Sequence, residues 1–539
     1  MSNLIRRAMF SAAAPLAATL VMLAPASAQE LRIGLAAEPS ALDPHYHNLG
    51  PNNQIATQVY ERLTDQDENQ KPEPNLAESW RAIDDKTWEF KLRKGVKFSD
   101  GSDFTARDVI FSYCRVPKVE NSPSSHIAST RMIDTMTAPD PHTVIITTAE
   151  PFPLMPITVS NISIISAKNG GVPDDLKFNK AGCEGVTAWP KTDEFNKLKF
   201  AGTGPFKYTQ FTPGDRIVME ANETHWGTKP KWKKVTLRPI TNAAARVSAL
   251  LANDVDFIEN PPIQDLPRIK SNPDLALTSK LSNRVIYLHF NYIADVPPGV
   301  TDAGEKNPFR DKRVREAISL AIDREAIVAR IMAGEAQAAA EFLPNPLDGT
   351  NPGIQAAKPD PAKAKKLLAE AGYPNGFGLV IGTPNDRYIN DAQVTQAVAQ
   401  MLNRIGIKAQ VDAMTAATFF GRRTKREFGM WLAGWGANTG EMSNPLRALA
   451  ATPDKTIGFG ATNPGGYSNK EMDDLLKKAL ATVDDKQRNT MLAQASRIAM
   501  ADFGVIPLHF EVTTWAFKKG LNYVGQTNQY TRPDKITQK

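Results

Sequence analysis

Trp88, Phe90 and Leu92 alternate with Glu89, Lys91 and Arg93, the period-two pattern of a strand with one buried face. Lys94-Gly95 breaks that pattern, and Ser99-Asp100-Gly101 supplies a turn. Thr105 then stands as a helix N-cap, with Asp108 three residues on and an apolar face of Val109, Ile110 and Tyr113. Leu31 to Leu35, Val144 to Thr148 and Arg216 to Glu220 read as further strands, which makes the first half strand-rich. The second half alternates. Asp360-Pro361 opens a helix that Gly372 closes, with Pro at the start and Gly at the end. Val394, Ala397, Val398, Met401, Leu402 and Ile405 mark the next helical face, followed by strands at Ile407 to Val411 and Gly429 to Gly434. Upstream, Val314, Ile318, Ala321, Ile327 and Ile331 form one candidate buried face. Such alternation predicts an α/β layer structure for residues 290–510.

Read as a string, Leu76 to Tyr113, LAESWRAIDDKTWEFKLRKGVKFSDGSDFTARDVIFSY, closely resembles the signature of the family 5 solute-binding proteins of ABC importers. That group serves dipeptides, oligopeptides, glutathione and nickel. Phe290 to Tyr292 and the run Pro308 to Val328, PFRDKRVREAISLAIDREAIV, also resemble the family, where they mark passage into a second lobe. The return crossing falls near Val505 to Phe510, and the resemblance extends over Leu31–Tyr113, Phe200–Gly227, Tyr287–Gly334 and Asp360–Phe517. It implies an α/β, two-lobed periplasmic binding protein (Venus-flytrap, type II, cluster C) with an extra subdomain in the first lobe. The expected division is lobe I at 29–72, 200–288 and 512–539, an accessory subdomain at 73–199, and lobe II at 289–511.

The amino terminus fits export. Arg6 and Arg7 precede an apolar run through Leu20, Val21, Met22 and Leu23, and Ala26-Ser27-Ala28 offers a small-x-small cleavage site. Residues 1–28 are therefore expected to leave as a signal peptide, with Gln29 first in a periplasmic protein. Gln at that position, in place of Cys, argues against a lipoprotein. Lys and Arg number 64 against 58 acids, a formal charge of +6 that falls to about +4 without the leader. No basic run interleaved with aromatics suggests nucleic acid, and a mature chain of roughly 510 residues exceeds a single core. Cys114 and Cys183 are a possible disulfide in an oxidising compartment; the sequence leaves the bond open.

No His-Glu-x-x-His helix, Walker-type glycine loop or Gly-x-Ser-x-Gly elbow occurs, so no catalytic residue, metal or cofactor is expected. His45 and His47 lie one apart beside Pro44 without a third ligand, and read as loop or pocket wall. The candidate ligand residues fall mainly in the second half. Arg387 and Tyr388 end the polar loop Thr383 to Tyr388, where a guanidinium offers a planar fork to a carboxylate. Trp435, Asn438, Thr439 and Glu441 follow a strand in a glycine-rich loop, with Trp435 equally readable as a buried strand-end aromatic. In the dipeptide and oligopeptide branch an Asp at the position of Asn438 holds the ligand's ammonium. This chain departs from that, and Glu441 is the nearest replacement anchor. Thr-Gly-Glu followed by Leu446-Arg447 looks more like the glutathione-binding branch. From the first lobe, His47 and Thr203 are candidate walls. The implied machine is a monomeric, non-enzymatic receptor. It binds a small peptide-like solute by hinge closure and hands it to an inner-membrane ABC permease complex, with a nickel chelate, opine or glycoside as alternative solute and an exported peptidase as the rival class.

Overall fold

In the computed structural model, which describes residues 30–173 and 175–539, alternation predicts burial well. The signal-peptide reading falls on residues outside that range. Leu31, Ile33 and Leu35 are buried along β1 (Glu30–Leu35), which pairs in parallel with β2 (Lys234–Pro239). Four more strands organise the molecule: β3 (Leu275–Phe290), β4 (Gly378–Pro384), β5 (Met430–Gly436) and β6 (Val505–Lys518). All six belong to one 12-stranded sheet. From its middle the order runs β6, β3, β5, β4 in one direction, and Phe257–Glu259, β1, β2 in the other.

The antiparallel pair β3–β6 joins the two lobes. With 16 and 14 residues, these strands span roughly 45–55 Å at about 3.3 Å per residue. One end, Leu275 opposite Lys518, adjoins the first-lobe strands through Phe517 opposite Phe257. Register shifts follow between Leu281 and Val285 and between Ile286 and Tyr287, irregularities that sharpen local twist. From Arg284 onward β3 also pairs with β5, Arg284 opposite Gly436. Beyond the bend two apolar cores cover the two faces of the second-lobe sheet, one around Leu288, Ile318 and Val398, the other around Tyr287, Trp431 and Leu492.

The strand Thr87–Leu92 lies inside a separate antiparallel sheet, ordered Ala77–Ala82, Thr87–Leu92, Thr143–Thr148, Ile133–Asp140. The helix Ala106–Arg115 packs into the core of this sheet, and the Thr105 amide donates to Asp108 Oδ2 at 2.8 Å, as the spacing predicts. Cys114 and Cys183 are joined in a disulfide beside the same core, with Cα atoms 5.2 Å apart. Arg115 leaves the end of that helix to meet Asp43, a buried pair 2.6 Å apart that ties the opening segment to this sheet. The predicted helix from Pro361 is observed as Pro361–Glu370, with Asp360 accepting from the Lys363 amide and Gly372 at φ +96°.

The candidate buried face from Val314 to Ile331 is divided between two elements, because Lys312–Ala321 stops at an extended Ile322. Asp323 starts a new turn by accepting from the Ala326 amide, and Ile331 ends half-buried in a π-turn. Arg324 explains the stop. Its guanidinium folds back to donate to Ser319 O at 3.2 Å and Ser319 Oγ at 3.0 Å, while Nε donates to Pro507 O at 2.8 Å. It satisfies carbonyls that a continuing helix would have consumed.

Candidate functional site

Parallel pairing of β4 with β5, Ile381 opposite Met430, carries the carboxyl ends of both strands to the same edge of the sheet. The loops that follow, 385–390 and 437–442, therefore open side by side, where α/β layers gather ligand groups. In the first loop, Asp391 shapes the backbone. Its Oδ2 accepts from the amides of Arg387 at 3.1 Å and Tyr388 at 3.0 Å. The Arg387 guanidinium is exposed and stacks 5.2 Å from the Tyr388 ring, whose hydroxyl donates to Gly434 O at 3.2 Å. A Cβ at Gly434 would lie 2.7 Å from Tyr388 Cε1, so glycine is what admits the ring.

The second loop has a polarity that the chemistry of one side chain fixes. Trp435, half-buried, donates from Nε1 to Asn444 at 2.8 Å. An indole N–H only donates, so Asn444 must present its oxygen there. The Asn444 amide nitrogen is then left to face Asn438 at 2.8 Å, and Asn438 must answer with its own oxygen. Asn438 is exposed and consequently offers its NH2 outward. At this position the chain presents donors outward.

Glu441 is not available as the substitute anchor that the sequence suggested. It is 3% exposed, with Oε2 accepting from Arg488 Nε at 2.8 Å and Oε1 from Ser443 Oγ at 2.6 Å. Burial pushes its carboxyl upward, against the pull of Arg488 and Ser443. The pair holds the loop to the helix Asp485–Asp502. Glu441→Gln is expected to lower stability by about 2–3 kcal/mol, since Arg488 keeps Asp485 at 2.5 Å, and to leave ligand affinity within about twofold. Urea titration and calorimetry would read the two effects separately; a lost affinity with unchanged stability would restore Glu441 as an anchor. Thr439 lies near it with a buried, unpartnered Oγ1.

On the first lobe, His47 is half-buried, with Nδ1 3.0 Å from Ser40 Oγ and its backbone bridged to Ser124. Burial lowers its pKa. Thr203 is fully buried, which removes it as a wall. The flanking glycines cause this, because a Cβ at Gly202 or Gly204 would strike the Val59 carbonyl. The turn presses directly onto that backbone.

Sequence reasoning missed the groups on the joining strands. Arg284, on β3, has Nε 3.3 Å from Glu511 Oε2, and Nη2 donates to Gln529 Oε1 at 3.1 Å. Glu511, on β6, accepts from the Ile389 amide at 3.1 Å and so ties the Arg387 loop to the junction. Burial lowers the pKa of Arg284; Glu511 opposes that and the nearby charge of Arg387 adds to it. Across the junction, Gln70 Nε2 donates to Ala437 O at 3.3 Å, and Asn283 Nδ2 donates to both Gln70 Oε1 and Ala437 O.

A bent sheet joining two lobes, with hydrogen-bonding loops gathered at the bend, defines the architecture of a two-lobed binding protein. The comparisons agree. The model of the bacterial extracellular solute-binding proteins, family 5 (middle), matches residues 71–456. The glutathione-binding protein GsiB of Escherichia coli (strain K12) is 29% identical over 511 residues, covering 92% of this chain and 91% of that one. Among solved structures, the periplasmic binding protein DppA of Helicobacter pylori, in complex with the peptide STSA, superposes with a TM-score of 0.73 at 24% identity, covering 94% and 98% of the two chains. AgaA of A. tumefaciens R10, in complex with agropinic acid, gives 0.72 at 24% identity, with 95% and 99% covered. The chain belongs to family 5 of the bacterial extracellular solute-binding proteins.

Proposed function

We propose that this chain is the periplasmic receptor of an ABC importer for a small peptide, of di-, oligo- or glutathione-like kind. Its signal peptide, residues 1–28, is cleaved before Gln29, and the mature protein is a monomer without a lipid anchor. Residues 29–72, 200–288 and 512–539 form lobe I, 73–199 its accessory subdomain, and 289–511 lobe II. The lobes close about the bend in β3 and β6, and the closed form docks on the inner-membrane permease. Closure needs no covalent step and no nucleic acid or cofactor. A ligand drives it only by binding the closed state better than the open one.

The observation that carries this reading is the convergence of Arg387, Tyr388 and Asn438 on one edge beside the junction strands. The name of the glutathione-binding relatives, alignable over nine-tenths of the chain, adds support. In this reading Arg387, backed by Tyr388, takes a ligand carboxylate, while Trp435, Asn438 and Thr439 shape the opposite side and His47 faces them from lobe I. Arg387→Ala should weaken binding of glutathione or an alanyl tripeptide by about tenfold to a hundredfold, the worth of one charge-assisted bond, with unfolding unchanged. Titration calorimetry reads this, and equal affinity in the variant would remove Arg387 from the site.

A second reading keeps the receptor and changes the solute to a nickel chelate, opine or glycoside. The outward donors of Asn438 favour it, because they suit a ligand with no ammonium at that position. Native mass spectrometry of protein purified without added ligand separates the two by the mass that accompanies the chain. Recovery of an added peptide intact after long incubation would dispose of the peptidase reading.

A further inference from the structure

Two guanidiniums meet across the lobes, one from each side, at Gly458. Arg131 follows the short turn His126–Ser129 of the first lobe; Arg447 stands three residues beyond Asn444 in the second. Both reach the same spot, Gly458. A Cβ on that glycine would collide with Arg131 Nη2 and lie 3.0 Å from Arg447 Nη2, so the two side chains approach closely with only a hydrogen atom's room between them and the backbone. Arg447 is half-buried and anchored, Nη2 donating to Ile457 O at 2.6 Å and Nε to Gly458 O at 3.3 Å. Arg131 is exposed. Among the described residues neither guanidinium has a carboxylate within ion-pair distance, although most arginines buried in this fold do, as Arg115, Arg315, Arg488 and Arg532 illustrate. Two like charges brought together without a counter-ion repel, and the arrangement is stable when an anion sits between them.

We infer that Arg131 and Arg447 form an anion-binding pair that takes a carboxylate or phosphate group between the lobes. The pair rests on one residue from each lobe, so an anion held there bonds both only when the lobes are together, and favours closure. The inference deepens the receptor reading and depends on it only for the source of the anion. That source is either an acidic group of the transported solute or a free anion from solution.

The test uses the full-length chain, its Arg131→Gln variant at an exposed position, and Arg447→Lys, which keeps the charge. In the first arm, melting temperature is followed against inorganic phosphate at constant ionic strength. In the second, calorimetry compares alanyl-glutamyl-alanine with its isosteric glutaminyl counterpart. If the anion is free, phosphate should raise the melting temperature saturably, Arg131→Gln should weaken that response about tenfold, and Arg447→Lys should retain most of it. If the anion is the solute's own, the glutamyl peptide should bind about tenfold tighter than the glutaminyl one, and Arg131→Gln should erase the preference. Absence of both effects would overturn the pair. The phosphate arm reads the pair even where neither peptide binds, which would count against the peptide ligand alone.

Discussion

Asp43→Ala should cost about 3–5 kcal/mol of stability, the range for stranding one partner of a buried ion pair. Asp43 and Arg115 have side chains 0% and 1% exposed. The carboxylate takes four hydrogen bonds: from Arg115 Nη1 at 2.8 Å and Nη2 at 2.6 Å, from the His45 amide at 3.0 Å and from Thr192 Oγ1 at 2.7 Å. Without it, Arg115 keeps only the Pro190 carbonyl, the ring of His45 and the face of Phe195. A cation in that position has lost its water and its countercharge together. Burial would raise the Asp43 carboxyl, but Arg115 holds it below its ordinary value. Its stabilising contribution is therefore full above the unfolded value near 3.8 and is lost as pH falls through the lower folded one. Equilibrium urea unfolding of the variant reads the cost. Replacing both partners with apolar residues, Asp43→Leu with Arg115→Met, should recover much of it. A single variant within 1 kcal/mol of the parent would show that the pair contributes little.

Between pH 7.5 and 5.5 the protein should lose about 5 kcal/mol of stability. Four buried histidines are responsible. Burial lowers His45 to about 3, with Arg115 adding to the effect, and lowers His126, His289 and His509 to about 4. The unfolded chain protonates all four near 6.5. Over the interval from 6.5 down to 4 the unfolded state holds protons that the folded state refuses, so stability falls with pH and is complete above 6.5. Neither ring nitrogen of His509 has a hydrogen-bond partner, so His509→Leu gives up no bond and should flatten the pH slope by about a quarter. Urea midpoints at the two pH values measure this, and a slope near zero in the parent would refute it. Asp65, held at about 2 where Arg532 and Arg62 outweigh its burial, enters only in stronger acid.

Elements set by neighbours in sequence were legible there. The cap of Thr105 by Asp108, the Asp360 start and Gly372 stop, and the alternation through Trp88, Phe90 and Leu92 are local properties, and each is observed. The helix ending at Ala321 was not legible, because its stop depends on Arg324 reaching Pro507 on another strand. The site followed the same division. Loops after β4 and β5 were found as glycine-rich and polar segments, and their parallel pairing placed them together. Glu441 looked free in the sequence because Arg488, which takes it, stands 47 residues away. The sense of Asn438 was hidden for a different reason: it depends on a chain of two hydrogen bonds that starts at a tryptophan able only to donate. Arg284 and Glu511 become neighbours solely through the pairing of the two joining strands.

That pairing has one more consequence. The chain leaves β3 after Phe290 and rejoins β6 at Val505, and His289 and Val505 already stand opposite one another. Residues 291–504 thus hang from a doorway whose two posts touch, so a tight hairpin would span the gap if the segment were cut out. A replacement fits if its own ends meet at hairpin distance and it covers Ile286, Leu288, Phe290, Ile506 and Leu508, which the present insert buries. Arg387 and Asn438 travel with the insert; the bend and the segments on either side of it stay behind. New recognition is available to such a chassis by transplant, through one crossover at each post, rather than by rebuilding a pocket residue by residue.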